Sequence, residues 1–384
     1  MNKKKNILFH LESRATYGYA RNVLRVINEF PELEYSTVVT GGHLDKKMGE
    51  SINIIKSNGF KITKKVPFVP SIQDSKFSWA SGIGNAIDGY TKSLNEIKPD
   101  IVLLFGDRIE TLSMCISAAY SHIPIAHVQA GDKSGHIDDC ARYAIAKLAH
   151  IHFASCEDSA IRLKKLGEQE FRIFNTGAPQ LDDLSLIHEK EYITIEGKPF
   201  NLKIPFILLV QHPVFVESED SYKQMQNTLS ACIRFNMPIL WIYPNNDIGY
   251  LNILKLLEYS SISNKIIPVS NLERDEYLLA LKKANALVGN SSSGILESPS
   301  YKVPVVNIGN RQRGRPQAKN IINCGHNENE IYNSINIAIN SKDFKETCNK
   351  AINPYGDGQS SRRICDLLSR QDISRNLMDK ITIY

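Results

Sequence analysis

The sequence predicts a two-domain α/β protein in which each domain contains a doubly wound parallel sheet. Short apolar runs alternate with amphipathic stretches along most of the 384 residues, a pattern typical of parallel strands joined by helices. The alternation is interrupted once, between Ala178 and Pro205, by a charged stretch with weak periodicity. Because the same pattern restarts afterwards, we expect two Rossmann-like domains that face each other across a cleft.

The first half of the chain supplies the strands and helices of the first predicted domain. Asp100–Phe105 is the clearest strand, because it is short and apolar after its aspartate. Tyr19–Glu29 has the apolar spacing of a helix, and residues 11–17 before it form a predicted polar loop that carries Arg14. The other predicted strands are Asn6–His10, Tyr35–Thr40, Lys61–Val69, Pro124–Val128 and one beginning at His152–Ala154, and the other helices are Glu50–Asn58, Ser81–Ile97, Glu110–Tyr120 and Asp138–Leu148.

The second half repeats this arrangement and adds a C-terminal helix. Ser360–Leu377 is amphipathic, and its position after the second domain would let it cross back to the first. The predicted domains are residues 1–185 and 200–360, followed by the returning helix at 361–384. The predicted strands are Phe206–Gln211, Pro238–Tyr243, Ile266–Val269, Ala286–Val288 and Val305–Ile308, and the helices between them are Ser221–Phe235, Gly249–Ser260, Arg274–Lys283 and Gly294–Tyr301.

Composition excludes several classes of function. The net charge is +5 and the basic residues are scattered, apart from Lys3–Lys5 and a cluster at 311–315, so we expect no nucleic-acid partner. The seven cysteines contain no CxxC pair, which predicts neither a zinc site nor a disulfide framework. No apolar run is long enough for a leader peptide or a membrane span, so we expect a cytoplasmic protein without a membrane partner.

A glycine- and serine-rich turn, Gly289–Gly294, links a predicted strand to a predicted helix. Backbone N–H groups at such a turn have no helical partner, and with the hydroxyls of Ser291 and Ser292 they could hold a phosphate. Glu297, three residues further, could reach a ribose. Alternatively, a serine caps the helix and Glu297 completes a capping box. Taken alone, the turn favours the capping interpretation, so the phosphate-binding interpretation depends on the rest of the chain.

Polar side chains also follow the other predicted strands, at the edge where doubly wound sheets bind ligands. Asp107 follows a wholly apolar strand, and a partly desolvated carboxylate there suits proton transfer, although it could equally cap the next helix. Asp138 and Asp139 open a helix, where acidic residues also serve as caps, and Arg142 could simply pair with Asp138. The remaining candidates are Arg14, Arg108, Gln129 and Asp132 in the first half, and His212, Asn290, Ser291, Ser292, Gly294, Glu297 and Arg311 in the second.

Five stretches together resemble the hydrolysing UDP-N-acetylglucosamine 2-epimerases, over nearly the whole chain. The resemblance implies a GT-B fold, no metal or organic cofactor, and association through the first domain into a homodimer or homotetramer. The stretches are Gly289–Arg315, Gly106–Arg108 (GDR), Gly135–His150, Gln211–Pro213 (QHP) and Asn353–Gly358 (NPYGDG).

The resemblance also implies a reaction. UDP is eliminated from UDP-N-acetylglucosamine through a 2-acetamidoglucal, and water then adds to give N-acetylmannosamine for sialic-type acid synthesis. It implies acid–base roles for Asp107, Asp138 and Asp139, with Arg142 supporting them. Arg14, His212, Ser291, Ser292 and Arg311 would hold the pyrophosphate, with Arg108, Asn290 and Gly294 alongside, and Glu297 would hold the ribose.

Two residues depart from the family pattern. Gln129 stands where the family usually has a glutamate, and Thr16 where an aspartate is common. Either Asp132 or another carboxylate takes over the proton transfer, or the family's glutamate is not the essential base. Alternatively, the change marks a different substrate, such as a 4-acetamido relative, UDP-N,N'-diacetylbacillosamine, on the legionaminic route. Two other classes stay open: a GT-B glycosyltransferase, which would need an acceptor sugar, and a nucleotide-sugar-binding sensor.

Overall fold

Two α/β units make up the computed structural model, which describes residues 3–44, 51–69, 77–133, 137–244, 249–258 and 263–383. The first unit comprises Met1–Asp183 together with Tyr355–Tyr384, and the second comprises Leu184–Pro354. The first unit is therefore discontinuous in sequence, and the second is inserted into it.

The first unit is built on a seven-stranded parallel sheet with the strand order β3-β2-β1-β4-β5-β6-β7. The order reverses between β1 and β4, which is where a doubly wound sheet opens to ligands. The strands are β1 (Lys5–Leu11), β2 (Leu33–Thr40), β3 (Lys64–Val66), β4 (Ile101–Phe105), β5 (Ile125–Val128), β6 (Ile151–Ala154) and β7 (Ile173–Asn175). The helices are α1 (Arg14–Val26), α2 (Ile52–Ser57), α3 (Ser78–Ile97), α4 (Ile109–Tyr120), α5 (Ile137–Leu148) and α6 (Glu157–Lys165).

The second unit has a six-stranded parallel sheet with the order β12-β11-β10-β13-β14-β15 and a separate antiparallel hairpin, β8-β9. The strands are β8 (Tyr192–Ile195), β9 (Lys198–Asn201), β10 (Ile207–Val210), β11 (Ile239–Ile242), β12 (Ile266–Val269), β13 (Ala286–Gly289), β14 (Val305–Ile308) and β15 (Ile321–Cys324). The helices are α7 (Ser221–Ile233), α8 (Tyr250–Leu254), α9 (Arg274–Lys283), α10 (Ser293–Leu296), α11 (Ser298–Tyr301), α12 (Glu328–Asn340) and α13 (Lys342–Asn349).

The structure differs from the sequence-based expectations at the start of the first unit. The predicted loop at residues 11–17 is wrong, because α1 already begins at Arg14. Ser13 is its N-cap, and the Ser13 side chain accepts a hydrogen bond from the Thr16 N–H at 3.4 Å. Arg14 is thus an exposed residue on the first helical turn rather than a loop residue.

The hairpin β8-β9 lies inside the stretch that the sequence predicts to be a linker. Glu196 and Gly197 form its turn with positive φ angles of 47° and 79°, which suits a tight two-residue hairpin connection. Ile193, Ile195 and Phe200 are buried in the core of the second unit. The hairpin is therefore part of that core.

The C-terminal segment packs on the first unit through α14 (Ser360–Arg370) and α15 (Arg375–Met378). Its residues Ile364, Cys365, Leu368 and Leu377 are buried in the same core as β1 and α1. The single helix expected over 360–377 is wrong, because residues 371–374 separate the two helices.

A buried ionic cluster, which we call the Glu168 cluster, joins the end of this segment to α5 and β6. The Glu168 carboxylate is fully buried, 2.9 Å from His152 Nε2, 2.6 Å from Lys380 Nζ and 3.2 Å from Lys147 Nζ. Lys380 also donates to the carbonyl oxygens of Ala146, Lys147 and Ala149 at 2.6, 3.0 and 2.6 Å. One lysine therefore satisfies both a buried carboxylate and the last carbonyl groups of α5.

Among the helices of the described residues, none is long and apolar enough to cross a membrane. The same part of the chain contains no group of three or more histidine, cysteine or acidic side chains placed to hold a metal ion.

Candidate active site

In the first unit, an arginine and a carboxylate meet where β4 ends. Asp107 follows β4 by two residues, and its carboxylate pairs with the guanidinium of Arg142 on α5. Arg142 is buried, and its other terminal nitrogen donates to the Gln129 carbonyl oxygen at 2.8 Å. The N-cap of α4 is Arg108 rather than Asp107. Arg142 therefore links the ends of β4 and β5 instead of making only a local contact on its own helix.

The charge of Arg142 is balanced by several carboxylates. Burial lowers the pKa of its guanidinium, but Asp107, Asp132 and Asp139 act in the opposite direction, so the pKa is raised overall. Arg142 thus stays charged and holds Asp107 in place. The side chain of Asp138 lies outside the described residues, although its backbone belongs to α5.

Gln129 and Asp132 follow β5 and differ in their surroundings. Gln129 is 6% exposed and has a left-handed backbone with φ of 60°, which is unusual for a residue other than glycine. Asp132 accepts hydrogen bonds from the hydroxyls of Ser155 and Ser159, the latter at 2.8 Å. The Asp132 carboxylate is therefore fixed by the end of β6 and by α6.

Sequence reasoning missed His127, which supports the same turn from inside the sheet. Its Nε2 lies 2.7 Å from the Gly106 carbonyl oxygen. Burial lowers the pKa of His127 to about 3, so the ring is neutral and Nε2–H donates this hydrogen bond. No periodicity marks such a residue, since His127 sits within a buried strand like its apolar neighbours.

In the second unit, the serine-rich turn lies directly against β10. Gly289 has φ of 127°, and a β-carbon there would lie 2.1 Å from the Val210 carbonyl oxygen, so a larger residue does not fit. Ser291 and Ser292 are partly exposed. Ser293 instead turns inward, with its hydroxyl 2.5 Å from that of Tyr277. The turn thus presents two hydroxyl groups and buries the third.

Asn290 connects three segments of the second unit. Its side-chain amide accepts from the His212 backbone N–H at 2.7 Å and donates to the His212 carbonyl oxygen at 2.8 Å. The Asn290 carbonyl oxygen accepts from Arg311 at 3.2 Å and from Gln312 at 2.9 Å. The QHP stretch, the serine turn and the Arg311 loop are therefore held together by one buried asparagine.

His212 and Arg311 give this site a neutral ring beside a fixed positive charge. Burial lowers the pKa of His212 to about 3, and the charge of Arg311 lowers it further. His212 can therefore donate or accept a hydrogen bond as a neutral imidazole, while Arg311 supplies the charge that an anion needs.

Glu297 pairs with α9 in the structure. Glu297 is 6% exposed, and its carboxylate lies 3.6 Å from the Arg274 guanidinium. The N-cap residue of α10, Ser292, makes no side-chain capping hydrogen bond, so the capping-box interpretation is wrong. Gly294 packs closely against β13 and β14, since a β-carbon there would lie 3.0 Å from Val305 and 3.2 Å from Leu287.

Known enzymes resemble this chain over most of its length. Residues 25–369 match the family model described as UDP-N-acetylglucosamine 2-epimerase. The chain is 33% identical over 386 residues to the UDP-N,N'-diacetylbacillosamine 2-epimerase (hydrolyzing) of Legionella pneumophila, covering 99% of this chain and 100% of the relative. It is 32% identical over 348 residues to the UDP-N-acetylglucosamine 2-epimerase of Neisseria meningitidis serogroup B, covering 89% of each.

Solved structures show the same fold. The crystal structure of UDP-GlcNAc 2-epimerase from Neisseria meningitidis bound to UDP-GlcNAc has a TM-score of 0.79 at 20% identity, covering 95% of this chain and 100% of that one. The prediction of a two-domain GT-B fold with two Rossmann-like domains is thereby confirmed. With the family model matched from residue 25 to residue 369, the chain is an enzyme of the UDP-N-acetylglucosamine 2-epimerase family.

Proposed function

We propose that this enzyme is a hydrolysing 2-epimerase that releases UDP and a free 2-epimer from a UDP-linked 2-acetamido sugar. The observation that carries the proposal is the Asp107 carboxylate, held at the end of β4 by the buried guanidinium of Arg142. A fixed carboxylate of this kind suits the removal and return of a proton. The Legionella relative, which is named as hydrolyzing and aligns with nearly all of this chain, supports the same reaction type.

The reaction requires proton transfers at C2 and at water, and one departing group. In the first step a carboxylate takes the proton from C2, the C2–H electrons form the C1–C2 double bond, and the C1–O bond breaks to release UDP. In the second step the double-bond electrons take a proton at C2 from the opposite face, the oxygen of water bonds to C1, and a carboxylate takes up the proton that this water loses. Asp107, Asp132, Asp138 and Asp139 are the proposed acids and bases, and Arg142 orients Asp107.

The departing UDP would be held by neutral donors and by arginine. Ser291, Ser292 and neutral His212 supply hydrogen bonds in the second unit, and Arg311 supplies charge. We assign Arg14 and Arg108 to the same anionic part of the substrate, and Glu297 to the ribose. Asn290 acts behind these groups, because its amide is already committed to the His212 backbone.

Two sugars are candidates for the substrate. UDP-N-acetylglucosamine is the first, and it would give N-acetylmannosamine. UDP-N,N'-diacetylbacillosamine is the second, and two observations favour it. The Legionella relative, whose name carries this substrate, aligns with 99% of this chain over 100% of its own length. Gln129 places a neutral amide where the family usually has a glutamate. A glutamine amide can both donate to and accept from a 4-acetamido group.

The test is incubation of the enzyme with each nucleotide sugar, without an acceptor, in deuterated water. We expect UDP release and one deuterium at C2 of the product from at least one of the two. No UDP from either, or product without deuterium, would contradict the proposal. Activity that appears only after an acceptor sugar is added would indicate a glycosyltransferase instead.

Matched variants test the role of Asp107. We expect Asp107→Asn to retain UDP affinity and to lose at least about a hundredfold in turnover, as for other acid–base groups. Asp100→Asn is the control, because Asp100 precedes the same strand at its opposite end and accepts from the Asn6 N–H at 2.8 Å. Equal turnover in the two variants would refute the acid–base role assigned to Asp107.

A further inference from the structure

Glu12, which sequence reasoning did not single out, is a buried carboxyl group directly after β1. Its residue is 1% exposed. Its Oε2 accepts a hydrogen bond from the Thr16 hydroxyl, while its Oε1 has no hydrogen-bond partner among the described residues. A buried carboxyl that uses only one of its two oxygens costs stability. Such a group calls for a functional reason.

Thr16 brings Glu12 next to the proposed acid–base site. A β-carbon placed on Gly106 would lie 3.4 Å from Thr16 Cγ2 and 3.8 Å from Gln129 Oε1. Thr16 and Gln129 therefore flank the turn that carries Asp107.

The Thr16 hydroxyl has three polar neighbours but only one proton to donate. Besides Glu12, it lies 3.1 Å from the Ser13 carbonyl oxygen and 3.2 Å from the Ser13 hydroxyl. An ionised Glu12 can only accept, so it commits the Thr16 proton to itself. A protonated Glu12 can donate to Thr16 Oγ1 instead, and the Thr16 proton then turns to Ser13. The first turn of α1, which carries Arg14, is thus hydrogen-bonded differently in the two states.

Charged and titratable groups surround Glu12 on several elements. Burial raises the pKa of Glu12 to about 7, Arg108 lowers it, and Glu110 raises it. Glu110 is itself buried, with an oxygen 3.4 Å from Arg108 Nε. Tyr90 of α3 interacts with both glutamates and packs edge-on against His10, which lies near His43.

We propose that Glu12 is a positioning residue for the proton transfers, acting through the Thr16 hydroxyl on the turns that carry Arg14 and Asp107. The ionised form holds the arrangement seen in the structure, and the protonated form releases it. The inference rests on the proposed function for its activity readout. It predicts that turnover rises with pH through the titration of Glu12.

The first test is the pH profile of kcat/KM between pH 6 and pH 8. About a tenth of a carboxyl with a pKa near 7 is ionised at pH 6, so we expect roughly a tenfold fall in the wild type. Glu12→Gln keeps the size and an acceptor oxygen but cannot titrate, so the fall should disappear. Asp100→Asn should keep the wild-type profile. A fall that persists in Glu12→Gln would overturn the proposal.

A matched pair at Thr16 separates a positioning role from direct contact. Thr16→Ser keeps the hydroxyl and should keep the pH-dependent fall, whereas Thr16→Val removes it and should lose the fall. If Thr16→Val retains the wild-type profile, Glu12 does not act through Thr16. These variants also decide the question if Glu12→Gln does not fold.

A readout without turnover distinguishes this inference from the proposed function. Carboxyl carbon chemical shifts of labelled protein should show Glu12 titrating near neutral pH, and Thr16→Val should raise its pKa, since a hydrogen bond to the charged form is lost. If neither sugar is turned over but this shift is seen, the proposed substrate fails and the Glu12–Thr16 coupling stands. If the Glu12 titration does not respond to Thr16→Val, the coupling is refuted.

Discussion

Replacing Lys380 by methionine should loosen the end of the C-terminal segment by about 3 kcal/mol. The change removes one partner of the Glu168 carboxylate, whose side chain is 0% exposed. Removing one member of a buried pair typically costs about 3–5 kcal/mol, and Lys147 at 3.2 Å compensates in part. The lower end of that range is therefore expected.

The titration of Glu168 gives a magnitude of the same size. Burial raises its pKa, but hydrogen bonds from His152 and Lys380 lower it more, from the ordinary 4.5 of a glutamate to about 2. A shift of this size corresponds to about 3 kcal/mol. Because the folded pKa is depressed, this stabilisation is present above pH 4.5 and is lost as the pH falls towards 2.

Amide hydrogen exchange can measure the stability of the C-terminal segment locally. A local measurement is needed because the two units need not unfold together. The Ile383 N–H donates to the Gly167 carbonyl oxygen at 3.0 Å and reports on the segment. We expect its exchange at neutral pH to become about a hundredfold faster in Lys380→Met. Lys164→Met, which removes an exposed pair with Glu170, should leave it unchanged.

A double variant decides whether the buried charge is the cause. Glu168→Gln combined with Lys380→Met removes both ions, so the segment should be more stable than with Lys380→Met alone. Unchanged exchange in Lys380→Met, or a double variant that is no more stable than the single one, would refute the reasoning.

Three further predictions concern single side chains. Asn290→Asp keeps an acceptor for the His212 N–H but sets a carboxylate against the His212 carbonyl oxygen, so UDP affinity measured by calorimetry should fall about tenfold or more; unchanged affinity would contradict this. Tyr277→Phe removes the hydrogen bond with the Ser293 hydroxyl, so the unfolding free energy of the second unit, measured by urea titration, should fall by about 1 kcal/mol. A variant that does not fold would contradict this prediction. Burial raises the pKa of Glu12 to about 7, so its stabilising contribution is present below pH 4.5 and is lost as the pH rises through 7. Glu12→Gln should therefore be more stable than the wild type by about 3 kcal/mol at pH 8 and equal to it near pH 4, and a difference independent of pH would refute this.

The sheets could be predicted well because their central strands are buried on both faces. Ile101–Phe105 is wholly buried, and its five consecutive apolar residues predict this burial. The hairpin at Tyr192–Asn201 could not be recognised in the same way. Its exposed Pro199 and its charged residues resemble a linker, while its buried side chains pack into the core of the second unit.

The candidate site was predictable as far as it follows the ends of strands. Asp107 and Arg142 come from different segments, and their meeting depends on how α5 packs, which local sequence does not contain. Glu12 was missed for the same reason. Glu12 lies against the turn at Gly41, which is distant in sequence, and a β-carbon there would lie 2.7 Å from the Glu12 carbonyl oxygen and 3.0 Å from Glu110.

The interrupted first unit has a consequence for the newly made polypeptide. Ile364, Leu368 and Leu377 belong to its core, yet they leave the ribosome after the whole of the second unit has been translated. The second unit can therefore complete its own core first, while the apolar face of the first unit's sheet stays uncovered until the C-terminal segment is made. Premature termination shortly after residue 354 would therefore harm the domain that was synthesised earliest and spare the one synthesised last.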